Sequence, residues 1–499
     1  MFTTLFMKEI RETIITGKFF IATVLCLILI PLGMYVTTQE YRQRINDYRH
    51  AVQLYQQRSE GNVRAMFKAE GYRPPSPLSV FAFGLESVLP NKAVTSESRY
   101  AFQDGITGIV KISNESGLQN PLAALFGKMD FLFNVGFVLS IFAMLFTITG
   151  ITGEREMGTL KLIASYPTPK WNILAAKIAG NYLVFLLPFL VSFLTGLLIL
   201  NFSGIFSMNT AGVYQAILVI FGVTVLFLFC MFTFGMLLSV FSNHSMTAII
   251  SMLVIWVVFA LVIPKLSPMV AQIIKPVESN QILDSKIRII RDVLHNEQLD
   301  REDELFADLV KRNGHTVEDY FHEHTMTRDE KKRIESEYDE IVAPVREEYA
   351  GKIVQATLQL QRSYDNAIHE QETVAMQISR LSPICCFTYI LTDFASTGLM
   401  EIDNFTSQAE QFQEQVKETV YNKFAYRQYG AGRRYNMGFW DNPENPRTRE
   451  IPVPGMYDYH YLTISEVIGS RWVDILLLVL YSVLFFTGAF VKFIRYDVR

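Results

Sequence analysis

Six stretches of this chain are long, apolar and almost free of charge, and they restrict what it can become more than anything else does. They cover residues 19–37, 131–151, 178–200, 216–241, 247–263 and 473–491. Each approaches the ~20 residues that a helix needs to cross the ~30 Å hydrocarbon core of a bilayer. An unpaired backbone N–H or C=O is costly in lipid, so each run is expected to be a helix that closes its own hydrogen bonds. The expected fold is an all-α polytopic membrane protein with six transmembrane helices. The first run is too long for a signal-peptide core and lacks a small-residue cleavage site, so it is read as a retained span.

Orientation follows from the basic residues beside the spans. Lys8, Arg11 and Lys18 precede the first, Arg155, Lys161, Lys170 and Lys177 lie between the second and third, and Lys492, Arg495 and Arg499 follow the last. These clusters belong on the cytoplasmic side, which puts both termini there and makes 492–499 a cytoplasmic tail. Residues 38–130 and 264–472 then fall outside, the second large enough to be a domain. A net charge of −4 with both signs mixed gives no reason to expect nucleic acid as a partner.

Residues 1–18 place Phe2, Phe6, Ile10 and Ile14 four apart, with Lys8, Glu9, Arg11 and Glu12 mostly elsewhere around the helix, the pattern of an amphipathic interfacial helix. After the first span the helix is expected to continue into water, until Arg73-Pro74-Pro75-Ser76-Pro77 stops any helix. In the second outer segment, apolar residues from Ile334 to Ile378 recur near helical spacing amid dense charge, and Pro344 predicts a break or kink. The outer domain is therefore expected to be mainly helical. Residues 384–399 are apolar but too short to span, and either lie on the outer bilayer surface or plug into the helical domain. Residues 457–464 read as a short strand or a connector. Cys26 and Cys230 fall within spans and Cys385 adjoins Cys386, so no disulfide framework is expected.

Membrane-embedded chemistry needs ionisable groups in the bilayer, and the six runs contain almost none; Asp130 and Asp474 sit only at span edges. This argues against proton-coupled antiport and intramembrane proteolysis. His315, His322 and His324 beside Glu318, Asp319 and Glu323 have no matched ligand pair at zinc-like spacing, so no metal site is assigned. There is no Gly-x-Ser-x-Gly elbow, and Gly127-Lys128 is followed by Met129, so no phosphate-cradling loop is present either. No catalytic residue and no cofactor of its own is expected in this chain.

What remains is the loop 152–177. Its charged block, Gly153-Glu154-Arg155-Glu156-Met157-Gly158-Thr159-Leu160-Lys161, is placed to be gripped by a soluble partner. Gly158 to Tyr166 offers a short helix with Leu160 and Ile163 on one side; Pro167 stops it, and Thr168-Pro169 supplies a cap and first-turn pair for the next helix.

This block, with Ile173-Leu174 and Lys177-Ile178-Ala179-Gly180, resembles the signature of ATP-binding-cassette type-2 permeases, the membrane subunits of exporters. The likeness extends to Pro74–Leu78 with Gly84-Leu85, to Phe234–Ser239, to Ile255-Trp256 with Ile263-Pro264, to Arg380–Pro383 with Thr397-Gly398, and to Phe493–Arg499. Together these resemble the subgroup with large extracytoplasmic insertions. One departure is at Thr147 to Thr152, where relatives often carry a Tyr-Asp pair. The resemblance implies a separate nucleotide-binding ATPase subunit that carries ATP and Mg and docks on this loop, with the N-terminal helix beside it. It also implies a second permease, identical or related, in a cell inner (cytoplasmic) membrane with its lipid. In this reading Gly153, Glu154, Arg155, Glu156, Gly158 and Thr159 form the ATPase-coupling element, their charges facing the ATPase, and Leu160 and Ile163 give it an apolar side. The rival reading is mechanical: ATP-driven motion inside acts on an outer partner, with nothing crossing the membrane. A scaffold without any ATPase is the third.

Overall fold

The computed structural model describes residues 2–59, 69–95, 110–113, 128–160, 169–205, 211–322, 325–416 and 457–495. Helix α1 (Phe2–Ile15) turns at Thr16 into α2 (Gly17–Ser59), and the helix runs on well past the first span, as expected. At 1.5 Å per residue, its 43 residues measure about 64 Å, twice the hydrocarbon thickness. Three short strands follow, β1 (Glu70–Tyr72), β2 (Lys92–Thr95) and β3 (Val110–Ser113), paired antiparallel in that order. Their shortness kept them out of a reading built on longer patterns. The proline segment between β1 and β2 is extended and then makes one 3₁₀ turn (Pro77–Val80) capped by Ser76.

The remaining spans are α3 (Phe131–Glu156), α4 (Lys170–Phe202), α5 (Ala211–Phe241), α6 (Ser245–Ile274) and, after a long intervening segment, the last described helix. All six are longer than their apolar runs. Hydropathy falls at the first charges, whereas helical hydrogen bonding carries on through them, so α4 begins at Lys170 rather than at residue 178. Its N-cap is Pro169, which moves the expected start by one position; Thr168 lies outside the described residues. Nor does α6 end at residue 263. A π-turn over Val258–Val262, in which the Ile263 N–H reaches Val258 O, re-registers the helix just before Pro264 and lets it continue. A second π-turn, Asn134–Leu139, interrupts α3.

Packing among the spans is aromatic and close. Phe131, Phe189, Phe193 and Phe221 form one cluster, and Tyr182, Phe185, Phe229 and Phe232 another. The outward faces are also apolar: Phe20, Ile28 and Leu32 on α2, and Ile250, Val254 and Leu261 on α6, are each roughly half exposed. A face of this kind running the length of several helices is what lipid or another membrane chain covers.

The segment between the fifth and sixth spans is a long helical pair, α7 (Asn280–Arg312) and α9 (Arg328–Ser379), joined through the short α8 (Val317–Phe321). Pro344 does not break α9. It sits on the exposed side of the helix, where water can take up the carbonyl that loses its N–H partner. The pair meets over Leu309, Val310, Met326 and Ile334, and Arg346 clasps Glu302 through two hydrogen bonds of 3.0 and 2.7 Å. Around the histidines, Asp319 closes a capping box with Thr316, and His324 and Glu323 lie outside the described residues.

Helix α10 (Pro383–Phe394) covers most of the apolar stretch 384–399, and it neither lies flat nor joins the α7–α9 pair. It enters the span bundle, where Phe387 stacks on Phe227 at 4.3 Å and the helix packs on α5 and on α12 (Ile464–Ile494). Between them, α11 (Met400–Val416) rests on the sheet, and 457–463 is a connector whose Tyr459 and Tyr461 are held by Glu401 and Pro74 O. The four cysteines are free and buried.

Candidate functional site at the terminal end of the bundle

The charged block is the last turn of α3 and the bend after it. Helix α3 stops because Gly158 takes φ = +76°, the left-handed conformation that ends helices most easily without a side chain. The Met157 N–H then reaches Gly153 O at 3.0 Å and the Gly158 N–H reaches Arg155 O at 3.2 Å. Thr159 Oγ1 donates to Glu154 O at 3.3 Å, and helix resumes at Thr159 and Leu160.

Glu154, Arg155 and Glu156 are engaged within the chain, which corrects the expectation that all three face outward; Lys161 lies outside the described residues. Glu154 Oε1 accepts from Lys177 Nζ at 2.6 Å, and the same ammonium donates to Glu9 Oε1 at 2.8 Å. The three side chains are 12%, 4% and 9% exposed, so this is a buried triad tying α1, α3 and α4 together. Arg155 Nη1 donates to Ser242 O at 2.7 Å and to Asn243 Oδ1 at 3.1 Å, at the carbonyl end of α5. Glu156 accepts from Ser245 N at 2.8 Å and Ser245 Oγ at 2.7 Å, at the amide end of α6. Adjacent residues thus satisfy the two ends of one helix–helix turn, each with the sign that the helix dipole favours. Glu156 alone of the three stays substantially exposed.

Leu160 is also corrected. It is 1% exposed and belongs to the bundle core, so it is not an apolar contact held out to a partner. Ile163 lies outside the described residues. What the bend does expose is Gly158, Thr159 and above all Met157, 72% exposed.

The sequence pattern missed Glu9 and Lys177. On α1, residues Phe6, Glu9, Ile10 and Thr13 face α4, so a charge expected on the polar side of an amphipathic helix is buried instead, while Phe2 and Ile14 of the expected apolar stripe stand partly exposed. The helices approach closely at Gly180: a Cβ there would stand 3.0 Å from Glu9 Cβ and 3.3 Å from Phe6 O. Thr13 adds a hydrogen bond to Asn181. The available signal was the spacing of Lys177, Gly180 and Asn181, which share one helical face three to four residues apart. Two further lysines close this end, Lys18 on Thr149 and Lys170 Nζ on Ile494 O at 2.9 Å.

At the other end, charges join the segment between the fifth and sixth spans to the spans. Arg380 donates to both oxygens of Asp474, at 2.7 and 3.0 Å, and Arg471 bonds Asp393 and lies 3.6 Å from Asp474. The segments carrying Gly84-Leu85 and Thr397-Gly398 meet: Leu85 N donates to Thr397 O and Thr397 Oγ1 to Ala82 O, both at 2.9 Å. Among the described residues, no group of three or more His, Cys, Asp or Glu side chains is arranged to hold a metal ion.

The bundle is therefore a set of apolar spans stapled at each end by ion pairs. A family profile described as ABC-2 family transporter protein matches residues 3–498. The chain belongs to that family. An ABC-2 transporter protein is a membrane component of an ABC transporter, which accounts for the six spans. The matched range includes the residues of the triad and of the charged bend. No curated protein matches the sequence.

Proposed function

We propose that this ABC-2 protein is the permease subunit of an exporter in the cell inner membrane, and that it takes up force from a separate nucleotide-binding ATPase at the terminal end of its bundle. In this reading that end is cytoplasmic, as the basic residues beside the spans require. The ATPase, carrying ATP and Mg, docks on the exposed bend Met157–Thr159 with α1 beside it, and a second permease copy or relative completes the transporter. The observation that carries this reading is the triad with its flanking contacts. A push on the bend reaches α1 and α4 through Lys177, and reaches the α5–α6 turn through Arg155 and Glu156. Coupling belongs to the joint behind the surface, and recognition to the few residues left on it. The test is Met157→Arg in the reconstituted complex. Because Met157 is exposed, the permease should fold as before while substrate-stimulated ATP hydrolysis falls; full stimulation with the variant would reject the docking assignment.

The mechanical alternative is favoured by one specific feature. The Arg380–Asp474 and Arg471–Asp393 pairs link α12 directly to the end of α9 and to α10, so motion of a span would move the outer helices. A stable outer partner recovered with the complex, together with no export into vesicles, would select it over transport.

A further inference from the structure

A cavity of about 380 Å³ opens where α3, α6 and α10 meet the segment preceding α3. Its walls are largely apolar, with Phe133, Phe137, Ala260, Pro264 and Tyr389 prominent, and its polar side holds Asp130 and Lys128. A volume of this order falls in the range of small-molecule sites, roughly 300–1,000 Å³.

Two observations distinguish it from a packing gap. The first is that both π-turns face it, Phe137 coming from the turn in α3 and Ala260 from the turn in α6. Such turns are uncommon and concentrate at functional sites. The second π-turn is held in place by α10's cap residue, since Ser382 Oγ donates to Phe259 O at 2.7 Å.

The second observation is the state of Asp130, which is 5% exposed. Its Oδ2 accepts from Phe83 N and its Oδ1 from Phe133 N, both at 2.7 Å. A carboxylate has about four acceptor positions, so capacity remains. Among the described residues no Lys, Arg or His forms an ion pair with it. Lys128 turns instead to Glu40 at 2.6 Å, with its ammonium 3.6 Å from the centre of the Phe83 ring. A cation is therefore already seated on an aromatic face at the cavity's edge, near enough to favour the charged form of Asp130, while among the described residues none forms an ion pair with that carboxylate.

We propose that this cavity binds a hydrophobic organic cation, its charge set against Asp130 and its apolar body lying between Phe133, Phe137 and Tyr389. A buried carboxylate is costly to keep charged, and a cation bound in contact with it offsets that cost. Aromatic faces attract cations independently. An anionic ligand would meet Asp130 in the wall while the one lysine there is already paired with Glu40, and a purely apolar one would leave the carboxylate as it is. Burial raises the Asp130 carboxyl to about 6. The charged or titratable groups facing it are Lys128 on its own segment, Glu40 on α2, and Cys385 and Tyr389 on α10, the last two uncharged near neutrality; α6 contributes none to the lining. Protonating Asp130 removes the attraction, so affinity falls as pH drops through about 6.

The test uses the full-length protein in nanodiscs without any ATPase, so its outcome is independent of the coupling proposal. The probe is ethidium, a permanent aromatic cation read by fluorescence, with a neutral phenanthridine as control. Saturable binding is expected, weakened about tenfold or more by Asp130→Asn for ethidium but not for the neutral control. Ala260→Phe, which fills the cavity, should weaken both. Lys128→Met should strengthen ethidium binding by removing a like charge. If Asp130→Asn fails to fold, Ala260→Phe and the wild-type pH profile decide. Absence of saturable binding, a flat pH profile, or weaker ethidium binding in Lys128→Met would overturn the proposal.

Discussion

Replacing Lys177 by Met tests the joint most directly. The substitution keeps a long unbranched side chain but leaves Glu9 and Glu154, 9% and 12% exposed, facing each other without their shared cation. Removing one partner of a buried ion pair costs about 3–5 kcal/mol, because the remaining charge stays desolvated. Here two carboxylates are left, while the bend beside Glu154 can admit water, so the lower part of that range is the reasoned figure. Every 1.4 kcal/mol is tenfold in an equilibrium, so release of α1 from α4 should become at least about a hundredfold more frequent. Hydrogen exchange at the α1 amides reads this directly, since local opening sets the exchange rate. The charge-free triple variant Glu9→Gln, Lys177→Met, Glu154→Gln separates packing from charge. Replacing an entire buried ionic group is often nearly neutral, so α1 protection should largely return. If Lys177→Met changes α1 exchange by less than about fivefold, or the triple variant is worse than the single one, the triad does not hold α1.

Gly180→Val should loosen α1 as well, at about 1–3 kcal/mol of overpacking, whereas Gly222→Ala, which meets nothing within 4 Å, should leave thermal stability unchanged or slightly raised. Phe387→Ala removes the ring stacked on Phe227 and should destabilise the bundle by about 3–5 kcal/mol, seen as a lower unfolding midpoint in detergent. Burial pushes the Glu401 carboxyl from its ordinary 4.5 up to about 7. The folded state then holds the proton more tightly than the unfolded one, so this group's contribution is greatest below about 4.5 and is lost as pH rises towards about 7. Glu401→Gln should flatten that fall in stability, and an unaltered pH profile would show that Glu401 ionises as an ordinary carboxylate.

The spans were legible because bilayer thickness and backbone hydrogen bonding leave an apolar run few alternatives. Their ends were not, since a hydropathy window stops at Lys177 or Pro264 whereas a helix passes through both, helped in α6 by a π-turn that no periodicity announces. The block from Gly153 to Thr159 stood out as polar sequence between spans, and Gly158 ends its helix for the ordinary steric reason. The direction of its charges was illegible. Glu9 and Lys177 are 168 positions apart, and only the packing of α1 across Gly180 brings them together. A charged residue read alone looks solvated, because the partner that permits its burial lies elsewhere in the chain. The same reason hid the Arg380–Asp474 and Arg471–Asp393 pairs, which turn an apparent span-edge aspartate into a fully buried one.

These staples also indicate how the bundle can move. Apolar contacts between spans are non-directional and tolerate sliding by fractions of a turn, whereas a bidentate Arg–carboxylate pair or a shared ammonium fixes both distance and angle. At the terminal end the fixed unit is α1 with the start of α4 and the end of α3; at the other it is the end of α9 and α10 with α12. Between them lie the aromatic clusters, and the two π-turns, the one in α6 adjoining the second stapled end through Ser382, are the places where helical hydrogen bonds already depart from regular register. Motion entering at the bend is therefore expected to carry the stapled ends as rigid bodies and be absorbed in α3 and α6 at the π-turns. Regularising one of them by deleting a single residue, Val138 in α3, should leave the stapled ends folded but slow the transmitted motion, measured as the exchange of spin-label distances between α1 and α10. An unchanged exchange rate in a folded deletion variant would place the compliance elsewhere.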